Sequence, residues 1–179
     1  EKISPYADYI TINISSPNTP NLRALHAKEN LIPLFSAIKL ATENVNFHKP
    51  VFIKISPDEA EETILDIIQA IKDYAFDGVI ASNTTIDRTE LNHISGHNIA
   101  GGLSGRPLFN KSTDLLRKIH KHDQDLVQIG VGGVFNSKDY GEKLESGASL
   151  VQIYTSFIYE GCLLYTSPSP RDAHESRMP

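Results

Sequence analysis

The chain has 179 residues, 40% hydrophobic and 22% charged, which excludes intrinsic disorder and supports one globular domain with a real core. A net charge of −5 argues against nucleic acid as a partner, and the single cysteine, Cys162, excludes an internal disulfide framework and fits a reducing compartment. No apolar run approaches a membrane span in length and no secretory signal opens the chain. Residue 1 is Glu, and the first eight residues read as the end of an earlier element, so the sequence is expected to be a fragment.

Residues 9–15 alternate. Ile10, Ile12 and Ile14 face one way and Thr11, Asn13 and Ser15 the other, the period of a strand. The polar side leads into Ser16-Pro17-Asn18-Thr19-Pro20, a loop that two prolines stiffen. A half-exposed strand ending in an ordinary turn would carry the same residues. Residues 29–45 place Leu31, Leu34, Phe35, Ile38 and Val45 on one helical stripe. A strand is predicted at 51–56, then a helix over 58–75, opened by Pro57-Asp58 with acidic residues in its first turn. A strand at 78–83 is followed by a long connection, Thr85 to Ser104, of a length usual for lids or disordered loops. A helix at 113–121, a strand at 126–131, a helix at 138–146 with Ser137 as N-cap and Gly147 as its stop, and a strand at 150–155 complete the pattern. Residues 1–162 form part of one domain. Residues 163–179, with Pro168, Pro170 and Pro179 and no helical stripe, are expected to be a non-native or unstructured tail.

Strands alternating with helices indicate parallel βαβ units. A doubly wound sheet or a (β/α)8 TIM barrel would both give this order. Asn13, Lys54, Asn83, Gly133 and Tyr154 lie at or near the C-terminal ends of five different strands, where a barrel places its chemistry. An open sheet would concentrate its site at one switch point. The barrel is therefore preferred. Since a full barrel has eight strands, this one is partial, with about strands 4–8 present.

Lys54 sits in Val51-Phe52-Ile53-Lys54-Ile55-Ser56, where Val51, Ile53 and Ile55 pack outward on helices and Lys54 points into the barrel. An unpaired ammonium there is costly, so an anion should meet it: a carboxylate of a barrel salt bridge, a phosphate, or a cofactor that becomes negative. Gly130-Val131-Gly132-Gly133 follows a strand and precedes a helix, and its bare amides can approach an anion, although turns need glycine too. Gly101-Gly102-Leu103-Ser104-Gly105 is a second such cluster. Neither is a Walker A or dinucleotide fingerprint. Ser16 is a nucleophile or base only if something activates it, and no Gly-x-Ser-x-Gly elbow surrounds it. His120 and His122 fall on different helix faces, His93 and His97 lie in the long connection, and no metal site is expected. Cys162 reads as a small packing residue.

Six motifs in order, Asn13-Ile-Ser-Ser-Pro-Asn-Thr-Pro-Asn-Leu-Arg23, Lys54-Ile-Ser-Pro-Asp58, Ser82-Asn-Thr-Thr-Ile-Asp-Arg88, Gly101-Gly-Leu-Ser-Gly-Arg-Pro-Leu108, Ile129-Gly-Val-Gly-Gly133 and Gly147-Ala-Ser-Leu-Val-Gln-Ile-Tyr154, resemble the class 2, quinone-dependent branch of the dihydroorotate dehydrogenases over residues 3–161, as a C-terminal fragment. The resemblance implies FMN-dependent oxidation of dihydroorotate to orotate in pyrimidine biosynthesis, with quinone as acceptor. It implies that Ser16 takes the proton from ring carbon 5 while a hydride from carbon 6 passes to the flavin. It implies that Asn13, Asn18, Asn83 and Thr84 hold the pyrimidine. Asn13, Lys54, Ser82, Gly105, Gly133, Tyr154 and Thr155 hold FMN, the later ones around its phosphate, and Lys54 offsets the charge of the reduced ring. Serine at position 16, where the class 1 branch has cysteine, is the class-defining cue.

Asn21 departs from the pattern, standing where glycine is common, and Ser82 and Thr155 each exchange one hydroxyl residue for the other. The family's first barrel strands, a pocket-completing lysine and loop, and the N-terminal membrane-associating segment are not in this sequence. The resemblance therefore implies peripheral attachment to a bacterial cytoplasmic or mitochondrial inner membrane through a missing segment, and a fragment that does not turn over alone. Competing readings are another FMN barrel, a non-redox phosphate-binding barrel enzyme, which would need a carboxylate or histidine base at a strand end, and an inactive fragment of the dehydrogenase.

Overall fold

The computed structural model describes residues 4–19, 22–91, 99–162 and 164. Five parallel strands, β1 (Ile10–Asn13), β2 (Val51–Ile55), β3 (Gly78–Ala81), β4 (Val127–Val131) and β5 (Leu150–Gln152), lie side by side in chain order. Between them run α1 (Lys28–Asn44), α2 (Glu61–Asp73), α3 (Phe109–His122) and α4 (Ser137–Glu145), and α5 (Thr155–Glu160) follows β5. Strand order equal to chain order separates the two candidate architectures. A doubly wound sheet reverses direction at a switch point, whereas successive right-handed crossovers that keep adding strands on one side build a barrel wall.

The two faces of the sheet differ as a barrel requires. Outward-facing Ile53, Ile55, Val79 and Ala81 meet Leu31, Phe35, Ile64, Ile67, Ile71, Leu115, Leu116 and Ile119 of the helices in one core. The inner face holds a small cluster of Phe52, Ile80 and Ile129, with Val131 packed on it. Among the described residues the helices pack on the first face. Phe35 anchors the outer core, fully buried with its ring edge-on to Phe76 at 5.0 Å and to Tyr74 at 5.9 Å.

Four local expectations are corrected. Helix α2 begins at Glu61, after the extended Ala60, because Asp58 is held elsewhere by a cluster described below. Helix α3 begins at Phe109, where a short turn at Arg106–Leu108 feeds directly into it. The N-cap of α4 is Asn136, whose Oδ1 accepts from the Asp139 amide at 2.9 Å, and Ser137 is the first helical residue. The last strand ends at Gln152, and Thr155 already belongs to α5, which apolar composition hides because Ile153 and Tyr154 prolong the strand-like run.

The long connection is closed at its base. Thr85 and Leu103 exchange backbone hydrogen bonds at 3.1 and 2.7 Å, with a short helical turn at Thr89–Leu91 beyond them. His93, His97, Asn21 and the tail 163–179, apart from Leu164, lie outside the described residues. Cys162 is exposed and does not pack into the core.

Candidate active site

Register brings the first site residues together. Asn13 at the end of β1 is the lateral partner of Lys54 on β2, and parallel partners project to the same side, so amide and ammonium both face the interior. The β2–β3 register then leads to Ser82 and Asn83 just past the end of β3. Asn83 Nδ2 donates to Asn13 Oδ1 at 3.1 Å and to Ser15 Oγ at 3.1 Å. Ser15, fully buried, donates to the Lys54 carbonyl at 2.8 Å. The Thr84 amide donates to Asn83 Oδ1 at 2.8 Å. The loops after three strands are thereby locked to one another by polar side chains, which fixes both amides before any ligand arrives.

Lys54 is half-buried, and among the described residues no hydrogen-bond or ion-pair partner reaches its Nζ. Burial pushes the ammonium below the usual lysine range. It lines a cleft with Ser82, Asn83, Thr84, Gly105, Gly133, Tyr154 and Thr155. Among the described residues no carboxylate and no histidine lines it. A partly desolvated ammonium is costly until an anion meets it.

The far end of the cleft is bare backbone. Gly132 and Gly133 have φ of +115° and +76°, a conformation side chains rarely adopt. A Cβ on Gly133 would lie 2.5 Å from Phe109 Cβ, so this turn must be glycine for packing as well as for backbone angle. Across from it Gly105, at φ +78°, faces Thr155, whose Oγ1 donates to Ser104 Oγ at 3.0 Å. Ser82, which lines the cleft, donates its Oγ proton to the Asn83 carbonyl at 2.9 Å.

The loop after β1 stands at the edge. Ser16 Oγ accepts from the Asn18 amide at 3.3 Å, and Asn18 Oδ1 accepts from the Gly102 amide at 3.1 Å. Among the described residues no side chain that could activate the Ser16 hydroxyl contacts it. The structure thus gathers Lys54, Ser82, Asn83, Thr84, Gly105, Gly133, Tyr154 and Thr155 in one cleft and ties Asn13 to it through Asn83. It places Ser16 and Asn18 on the neighbouring loop, outside the cleft lining.

Sequence reasoning missed what holds that loop. Asp58 Oδ2 pairs with Arg23 Nη1 at 3.1 Å and accepts the Ile86 amide at 2.9 Å; its Oδ1 pairs with Lys111 Nζ at 2.8 Å and accepts the Thr85 hydroxyl. Arg23 also donates to the Ser15 carbonyl at 3.4 Å and the Thr84 carbonyl at 3.3 Å. Burial raises the Asp58 pKa, but hydrogen bonds from Lys111, Thr85 and the Ile86 amide outweigh it and hold the carboxyl below the usual range. Arg23 and Asp58 both lie inside the motifs quoted above. Their pairing had no signal in spacing, because 35 residues separate them.

Fold and site together define an α/β-barrel protein whose C-terminal rim gathers a lysine ammonium, side-chain amides and a bare glycine turn around one cleft. The particular family follows from comparison: the chain belongs to the dihydroorotate dehydrogenase family, whose model matches residues 1–167. A dihydroorotate dehydrogenase (quinone) of Christiangramia forsetii is 46% identical over 162 residues, covering 90% of this chain and 47% of that protein. One of Psychromonas ingrahamii is 46% identical over 166 residues, covering 90% and 49%. The crystal structure of the Eimeria tenella enzyme in complex with ferulenol superposes with a TM-score of 0.86 at 31% identity, over 92% of this chain and 50% of that one. The chain spans about half the length of the curated relatives it matches.

Proposed function

We propose that this chain supplies the cofactor- and pyrimidine-binding rim of a quinone-dependent dihydroorotate dehydrogenase, which oxidises dihydroorotate to orotate in pyrimidine synthesis and uses FMN. The observation that carries the reading is the Lys54 ammonium, inward-facing and without an anionic partner among the described residues, beside the Asn13–Asn83 amide pair. FMN suits the cleft: its ring needs a cation and amides at one end, and its phosphate needs bare backbone, which Gly105 and Gly133 offer at the other. When bound, the flavin supplies the hydride acceptor.

The chain's own groups have separate tasks. Lys54 would hold the flavin ring and offset the negative charge it gains. Asn13, Asn83 and Thr84 orient the pyrimidine and its carboxylate, with Asn18 on the adjoining loop. Ser82, Gly105, Gly133, Tyr154 and Thr155 hold the cofactor. Ser16 accepts the proton from ring carbon 5. Its hydroxyl lies on a loop braced by Arg23 and by the Asn18–Gly102 contact, so position stands in for an activating partner. A non-redox barrel enzyme would need a carboxylate or histidine base at a strand end, and among the described residues the cleft lining supplies neither. Quinones partition into lipid, so the reading sets the assembled protein at a membrane surface. Among the described residues no helix is long and apolar enough to cross a membrane.

The test is flavin binding to the purified chain, read by quenching of FMN fluorescence, with Lys54→Met alongside. Wild type should quench, orotate should perturb the bound flavin's absorbance, and Lys54→Met should weaken FMN by roughly tenfold or more. A chain that leaves FMN fluorescence unchanged, or a Lys54→Met variant that binds as well as wild type, would overturn the reading.

A further inference from the structure

Behind the glycine turn lies a second cation that the site as described does not use. Lys143, on α4, is fully buried. Its stem passes Gly130 of β4, where a Cβ would lie 3.1 Å from Leu116 Cδ1, 3.2 Å from Ala148 Cβ and 3.5 Å from Lys143 Cδ. The tight contacts of a side chain there would be with Leu116 and Ala148, and the lysine stem lies at ordinary packing distance. At the tip, Nζ donates to Ser112 Oγ at 2.5 Å and stands 5.0 Å from the centre of the Phe109 ring.

Among the described residues no carboxylate pairs with it. On its own helix, Asp139 is taken by Arg106 at 2.6 Å and by the Phe135 amide at 2.8 Å. Glu142 is taken by Arg117 of α3 at 2.8 Å, and Asp114 by the same guanidinium at 2.7 Å. Burial pushes the Lys143 ammonium down to about 7, with Glu142, Asp139 and Asp114 pulling it up and Arg117 pushing it further down. A buried cation with an empty balance sheet needs a reason to sit where it does.

The reason is where its hydrogen bond leads. Ser112 has one proton, and because it accepts from Lys143 that proton must go to a carbonyl. Those within reach are Phe109 O at 3.1 Å and Gly132 O at 3.2 Å. A Cβ on Gly132 would lie 3.0 Å from Ser112 Oγ and 2.8 Å from Leu108 Cδ2. Lys143, Ser112 and the Phe109 and Gly132 carbonyls therefore form one network, running from a charge in the core to the back of the turn whose front lines the cleft. We propose that Lys143 is a positioning residue for the cofactor's phosphate: through Ser112 it fixes the Gly132–Gly133 turn, and its buried positive charge and a phosphate in that turn favour each other's presence. This deepens the flavin reading and rests on it, since it takes the FMN phosphate as the anion.

The sign follows from linkage. If protonated Lys143 favours the phosphate, the phosphate must favour the proton, and phosphate preference falls as pH rises through the range where the lysine discharges. The phosphate's own second ionisation, near pH 6, is complete by then. Riboflavin, which lacks the phosphate, controls for everything the ring contacts contribute, Lys54 included.

The experiment compares FMN and riboflavin affinity of the purified chain by fluorescence quenching at pH 7, 8 and 9, for wild type and Lys143→Met, with circular dichroism to check folding. Wild type should prefer FMN, and the preference should shrink severalfold between pH 7 and 9. Lys143→Met should keep its riboflavin affinity, lose roughly tenfold in FMN preference, and show no pH trend over that range. If the variant does not fold, the wild-type pH series decides. A wild-type preference that stays constant from pH 7 to 9, or a folded variant that keeps it, overturns the role of Lys143 and leaves the flavin reading standing. Equal binding of the two flavins also overturns it, because the turn then holds no phosphate. A chain that binds neither flavin overturns both readings.

Discussion

Removing the Asp58 carboxylate should do more damage than its position near a helix start suggests. Asp58→Ala deletes the acceptor of two cations, a hydroxyl and an amide at once. Breaking a fully buried charge pair by deleting one member costs about 3–5 kcal/mol, because the other member is left without compensation. The carboxylate side chain is only 11% exposed, but Arg23 is 22% and Lys111 34% exposed, so water recovers part of that loss. An expected cost of about 2–3 kcal/mol follows, which for a chain of this size lowers Tm by roughly 5–10 °C. Urea denaturation of wild type, Asp58→Ala, Lys111→Met and the double variant measures it. The double variant should be less destabilised than the sum of the singles, since removing Lys111 takes away one of the orphaned charges. Acid should act in the same direction. The folded carboxyl lies below its unfolded value, so its contribution is complete above about pH 4 and disappears as pH falls through the folded value. A loss below about 0.5 kcal/mol for Asp58→Ala would place the cluster among ordinary surface ion pairs and refute the argument that it braces the site.

Two further outcomes test the rim itself. Gly133→Ala puts a methyl 2.5 Å from Phe109 Cβ at a φ of +76°, and should abolish FMN quenching while costing about 1–3 kcal/mol in stability; full retention of both would show that the turn yields without consequence. Asn83→Ala frees Asn13 Oδ1 and Ser15 Oγ from a shared donor, and should cost about 1–2 kcal/mol in thermal stability and weaken the orotate-induced change in bound flavin absorbance; an unchanged orotate titration would remove Asn83 from the pyrimidine site.

Local alternation settled a large part of this molecule. Val51, Ile53 and Ile55 against Lys54 determine which side of β2 meets helices and which meets the site, because a strand's side chains alternate whatever surrounds them. The same rule put Asn13 on the inner side, and parallel pairing then set it beside Lys54. The five strands and four of the helices could be read in chain order for that reason, and the sequential strand order completed the case for a barrel wall. Helix α5 could not, since Ile153 and Tyr154 carry strand-like composition past the last ladder bond.

Only tertiary structure decided which groups find each other across long separations. Asp58, which reads as a helix-opening acid, is claimed by Arg23, Thr85, Ile86 and Lys111. Ser15, which reads as one more polar residue beside Ser16, is the buried junction of Asn83 and Lys54. Lys143 lies on a short polar helix and would pass for a solvated residue, yet it is the most deeply enclosed charge among the described residues, packed beside Gly130 of a neighbouring strand. Periodicity is a property of a segment and can be read from it. The partner of a charge depends on where the whole chain brings low-dielectric space and competing donors together, and no segment holds that information alone.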